Sequence, residues 1–153
     1  MTERIEVQRT IAAPAADIFA VLCDPHGHVA IDASGMLQDA DGDPAQAVGD
    51  SFVVHMDREA LSDRPLGLYD VIVTITAFEL DREIEWDIRG KDRAPYGHRY
   101  GYMLESADGG TLVTSYYDWS GIDDKTRQRG TFPVIPEATL RATLGILDRT
   151  LTR

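Results

Sequence analysis

With 153 residues and a formal charge of -11, the chain has the length of one ordinary domain and an acidity that repels nucleic acid and anionic membrane surfaces before contact. No apolar run approaches the ~20 residues a membrane span requires. The lone Cys23 excludes a disulfide framework and, set among Phe19, Val21 and Leu22, reads as a core thiol.

Met1-Thr2-Glu3-Arg4 leads straight into a strand, without the charged and apolar regions of a secretory signal, so a cytoplasmic protein is expected. Ile5, Val7 and Ile11 alternate with Glu6, Gln8 and Thr10 and predict a half-buried first strand. A helix starts at Pro14, buries Ile18, Phe19, Val21 and Leu22, and stops at Pro25; a short helical turn follows around His28 to Ile31. Up to Asp50 the chain reads as loop, with Asp39-Ala40-Asp41-Gly42-Asp43-Pro44 as turn chemistry. Strands are then expected at 51–56, 68–78, 83–89, 98–105 and 111–119, joined by short turns and by one longer arm at 57–67. After Pro133 and Pro136, Leu140, Leu144, Leu147 and Leu151 form the apolar stripe of a long final helix.

This order predicts an α+β fold: an antiparallel sheet wrapped around the C-terminal helix, with two short helices after the first strand. Six strands at ~4.8 Å spacing span nearly 30 Å, whereas one helix is only ~10 to 12 Å across, so the sheet must curl. Parity sorts the strands. Phe52, Val54 and Met56 share the inner face and His55 the outer one; Val113, Ser115, Tyr117 and Trp119 face in, whereas Tyr116 and Asp118 face out. Trp86 in the fourth strand, Tyr100 and Tyr102 in the fifth, and Tyr69 complete an aromatic set whose phenol and indole groups require hydrogen-bond partners. Together with Leu140 and Leu144 of the helix, these residues are the expected walls of a ligand cavity.

The chain resembles the START-like helix-grip superfamily (SRPBCC), in particular the bacterial polyketide cyclase/dehydrase-like proteins. The resemblance rests on Ile5 to Phe19 (IEVQRTIAAPAADIF), on His28 to Gly35 (HVAIDASG), on Gly110 to Val113 leading to Tyr117-Asp118-Trp119-Ser120-Gly121, and on Phe132-Pro133 before the last helix. It implies one START-like ligand-binding domain over 1–153, enclosing a cavity for a small apolar or amphipathic molecule. It does not imply catalysis, because the superfamily mixes enzymes, carriers and receptors.

The remaining candidate chemistry is sparse. His26 and His28, two apart, project to different helix faces, and Asp39, Asp41, Asp43 and Asp50 match calcium-loop spacing but carry Pro44 where the loop requires glycine, so no metal is expected. No dinucleotide or phosphate-loop fingerprint is present, and no cofactor is expected. Arg58, Glu59, Asp63 and Arg64 in the long arm read as surface charge, with a gate over the pocket as the alternative. The leading expectation is a binder or carrier of a hydrophobic or aromatic molecule of ~20 heavy atoms, as monomer or homodimer. A cyclase-like enzyme working by general acid/base catalysis is the alternative, with His28, Tyr102 and Tyr117 as its suppliers; a protein-contact module with a collapsed core is the third possibility.

Overall fold

The computed structural model describes residues 2–153. Strands β1 (Arg4–Ile11), β2 (Leu37–Asp41), β3 (Ser51–Asp57), β4 (Leu68–Glu79), β5 (Glu83–Gly90), β6 (Arg99–Ala107) and β7 (Gly110–Asp118) form one antiparallel sheet in the order β1-β7-β6-β5-β4-β3-β2. The sheet is a meander with the first strand added beside the last, and it stays open at β1 and β2. Helices α1 (Ala15–Cys23), α2 (Pro25–Ile31) and the five-residue α3 (Asp124–Gln128) are short; α4 (Glu137–Thr152) packs against β1, β7, α1 and α2.

The sheet has one strand more than its hydrophobic pattern announces. β2 lies inside the segment read as loop, and Ala40 is its one fully buried residue. Its pairing with β3 is made by backbone and leaves Gln38, Asp39 and Asp41 exposed, so no apolar alternation marks it. Pro25 also does more than end α1. Asp24 accepts a hydrogen bond from the His26 N–H at 3.0 Å, and Pro25 sits at the first position of α2.

In β3 parity translates directly into burial, whereas β7 is buried on both faces, Thr114, Tyr116 and Asp118 included. Phe52, Val54 and Met56 are buried while His55 lies on the outer face, its imidazole between Asp41 and Asp70 at 2.7 Å from each. Leu140, Leu144 and Leu147 are buried in α4, and Leu151 is half-buried. Cys23 is buried, and desolvation pushes its thiol up to about 11, which leaves it an inert core residue.

Gly101 fits the outer face for a steric reason. It stands opposite Tyr116 across the β6–β7 ladder, and a Cβ there would lie 2.3 Å from the Tyr116 hydroxyl. That ring is buried beneath the Arg4 guanidinium at 4.3 Å, and its hydroxyl donates to Glu85 at 2.8 Å. Gly101→Ala is therefore expected to destabilise the fold by about 2 kcal/mol, read by urea unfolding, because the pinned ring cannot step aside. An unchanged midpoint would show that the ring moves freely.

Candidate functional site

Three residues directly opposed in the ladder build an aromatic row across the concave face: Trp86 of β5 faces Tyr100 of β6, and Tyr100 faces Tyr117 of β7. The Tyr100 and Tyr117 rings stack at 4.1 Å and 6°, Trp86 lies parallel to Tyr100 at 6.1 Å and 16°, and Trp119 extends the row 5.4 Å beyond Tyr117. Cross-strand pairing produces this stack, because it sets side chains of equal parity in a line perpendicular to the strands.

The row runs out of the cavity at one end. A cavity of about 130 Å³ lies between the sheet, α2 and the first half of α4. Val54, Met56, Trp86, Tyr100, Tyr102 and Leu140, all expected walls, line it. Phe52, Tyr69, Tyr117, Trp119 and Leu144 do not. Phe52 instead packs edge-on to His28 at 5.2 Å, and Tyr69 pairs with Met56 near the end of the β3–β4 ladder. Leu144 is core. Tyr117 is fully buried where the 131–135 segment covers the sheet, its hydroxyl 3.1 Å from His98 Nδ1 and 3.4 Å from the Val134 N–H. Burial pushes the Tyr117 phenol up to about 12 and the Tyr102 phenol higher still, although neighbouring Tyr100 and Ser115 pull the other way.

Several lining residues had no prior signal. Ile31, Ser34, Met36 and Leu37 come from α2 and the turn into the unpredicted β2, and Ile135, Thr139 and Thr143 come from the start of α4 and the segment before it. His98, buried beside Tyr117 outside the cavity wall, was missed as well. It precedes β6 by one residue, and the parity of Tyr100 and Tyr102 carries it inward, where Phe132 meets it edge-on at 4.9 Å.

The polar lining has one element of fixed direction. The Asp32 carboxylate is consumed locally: Oδ1 accepts from the Ser34 N–H and hydroxyl at 3.0 and 2.7 Å, and Oδ2 from the Gly35 and Leu37 N–H groups at 2.9 and 3.2 Å. It staples the turn that carries Met36 and Leu37 to the cavity. His28 is different. Its Nε2 lies 2.7 Å from the Leu22 carbonyl, which can only accept, so Nε2 carries the proton and Nδ1 is a lone-pair acceptor. Desolvation lowers the His28 pKa and keeps the ring neutral, while Trp86 at 4.6 Å holds its plane.

In the arm read as surface charge, Glu59, Asp63 and Arg64 are exposed, whereas Arg58 is not. Its guanidinium is buried and forks onto Asp63, Nε to Oδ1 at 2.7 Å and Nη2 to Oδ2 at 2.8 Å, which organises the arm from within. No Lys or Arg lines the cavity.

No protein-family profile matches the chain. The uncharacterized protein Rv0088 of Mycobacterium tuberculosis is 30% identical over 118 residues, covering 76% of this chain and 47% of that protein. The chain thus spans about half the length of the curated relatives it matches. Among solved structures, protein CV1439 of Chromobacterium violaceum superposes with a TM-score of 0.70 at 15% identity, over 100% of this chain and 99% of that one. The fold is of the helix-grip type. The Aha1 dimer of Colwellia psychrerythraea shares it, with a TM-score of 0.60 and 18% identity over 97% and 95% of the two chains. Identities this low carry the architecture and nothing about the cavity's occupant. Among the described residues, no helix is long and apolar enough to cross a membrane.

Proposed function

We propose that this chain is a START-like binder that holds or carries a small, mainly apolar molecule in the cavity between the sheet and α4. The observation that supports this most is the cavity itself: an aliphatic and aromatic wall of Val54, Met56, Val71, Val73, Trp86 and Tyr100, broken by few polar groups. Its size revises the expected ligand. A cavity of ~150 Å³ accepts benzene, so about 130 Å³ encloses one ring, not ~20 atoms; anything larger leaves part of itself at the mouth. At about -0.6 kcal/mol per atom, a ligand of about eight atoms gains roughly -5 kcal/mol, or a Kd near 0.2 mM, which suits rapid exchange.

Ligand-observed NMR with toluene and p-cresol tests this reading. Saturable binding is expected in the wild type, weakened about tenfold or more in Thr143→Phe, whose added ring occupies the cavity from the α4 side. Absence of binding by either probe in the folded wild type would end the proposal. The free Nδ1 of His28 is the one observation favouring a cyclase-like enzyme in the same space, since it places a base against the ligand. A single imidazole could both take and return a proton, but the groups that could polarise a substrate beside it are not poised to do so: the Asp32 carboxylate is occupied by the turn and Tyr102 is made a weaker acid by burial. A carrier in the cytoplasm, monomeric or homodimeric, is the simpler reading.

A further inference from the structure

His28 narrows the chemistry of the ligand as well as its size. Among the described residues, the one buried side-chain nitrogen or oxygen without a partner is Asp87 Oδ1, on the other face of the sheet. The Nδ1 of His28 makes no hydrogen bond to protein yet is not among the buried unpartnered atoms, so it is open to space, and the space this ring borders is the cavity. The Leu22 carbonyl fixes its role as acceptor. The hydroxyls of Tyr102, Thr139 and Thr143 rotate and serve donors and acceptors alike, so they orient a ligand without choosing it.

The charge around the cavity supplies a second filter. The one full charge in its wall is the Asp32 carboxylate, and the buried guanidinium of Arg58 is already forked onto Asp63. A carboxylate or phosphate ligand would lose its hydration and meet no cation in return. A neutral donor loses little and gains the imidazole.

Resting on the binding function proposed above, we infer that the cavity selects a neutral single-ring molecule bearing one hydrogen-bond donor, a phenol or an equivalent ring alcohol or amine, and that His28 Nδ1 is its specificity-determining acceptor. A ligand that takes Nδ1 out of contact with water without offering it a hydrogen bond loses affinity, whereas a phenolic O–H supplies one.

The test uses four ring-sized probes at neutral pH: p-cresol, anisole, toluene and benzoate. Binding of p-cresol about tenfold tighter than anisole or toluene, with benzoate weakest, is the expected result. Equal binding of p-cresol, anisole and toluene overturns the inference and leaves the binding function intact; no binding by any probe overturns both. His28→Phe keeps an aromatic ring against Trp86 and is expected to bring p-cresol down to the toluene level while toluene is held. Because that variant also strips the Leu22 carbonyl of its donor, the wild type provides an independent readout. Long-range proton–nitrogen spectra of histidine-labelled protein should place the proton on Nε2 and shift Nδ1 on adding p-cresol but not anisole. A proton on Nδ1, or an Nδ1 resonance indifferent to p-cresol, rejects the assignment.

Discussion

Tyr117→Ala is expected to lower the unfolding free energy by about 4 kcal/mol, the upper part of the range for deleting a large buried aromatic. Tyr117 is fully buried, its ring stacked on Tyr100 at 4.1 Å and flanked by the tilted Trp119 ring at 5.4 Å, so truncation opens a void that neither neighbour can close. The hydroxyl contributes separately: the Val134 N–H donates to it and it shares a hydrogen bond with His98 Nδ1, so it ties the 131–135 segment to the sheet. At roughly 2 to 4 °C per kcal/mol for a chain of this size, the melting temperature should fall by about 10 °C. Tyr117→Phe divides the two contributions, and its cost should be about 1 to 2 kcal/mol, that of leaving polar partners unpaired. An alanine variant no less stable than the phenylalanine variant would mean that the stack contributes nothing. Because Tyr117 stands outside the cavity wall, probe binding by the folded fraction should survive either change.

What the chain reveals of itself follows the range of the physics involved. Inner and outer faces of β3 and β7 were legible because alternation is local: Val54 and His55, or Tyr117 and Asp118, cannot exchange sides without slipping the whole strand. The α4 stripe was legible for the same reason. β2 was not, since an edge strand paired by its backbone and exposing Gln38, Asp39 and Asp41 has no alternation to find. The difference between facing inward and lining a cavity was also invisible. Tyr100 and Tyr117 share a face and a stack, yet one borders the cavity and the other lies under residues 131–135, and that depends on which distant segment covers which end of the sheet. Arg58 illustrates the same limit: its charge suggested solvent, whereas the exposed Asp63, five residues on, gives the guanidinium a partner that lets it be buried.

The second large effect is a loss of stability on mild acidification, carried by His98. The imidazole is 6% exposed, sits among Tyr96, Tyr100, Tyr117 and Phe132, and is held neutral by burial, which lowers its pKa to about 4. In the unfolded chain the same group titrates near its ordinary value of about 6.5. The unfolded state therefore takes up a proton first as pH falls. The stability tied to neutral His98 is complete above about pH 6.5 and drains away as pH drops toward about 4, a loss of about 3 kcal/mol for the full interval of two to three pH units. His28, also depressed by burial, acts in the same sense, whereas His55, raised by the hydrogen bonds it donates to Asp70 and Asp41, acts in the opposite one. Comparing wild type with His98→Phe cancels both. The phenylalanine ring preserves the edge contacts with Phe132 and Tyr117 and removes the titration, so urea midpoints should diverge with pH: the variant somewhat less stable at pH 7.5, where the Tyr117 hydroxyl has lost its imidazole partner, and the more stable of the two by pH 4.5. Parallel midpoints across that range would place the acid sensitivity elsewhere in the fold.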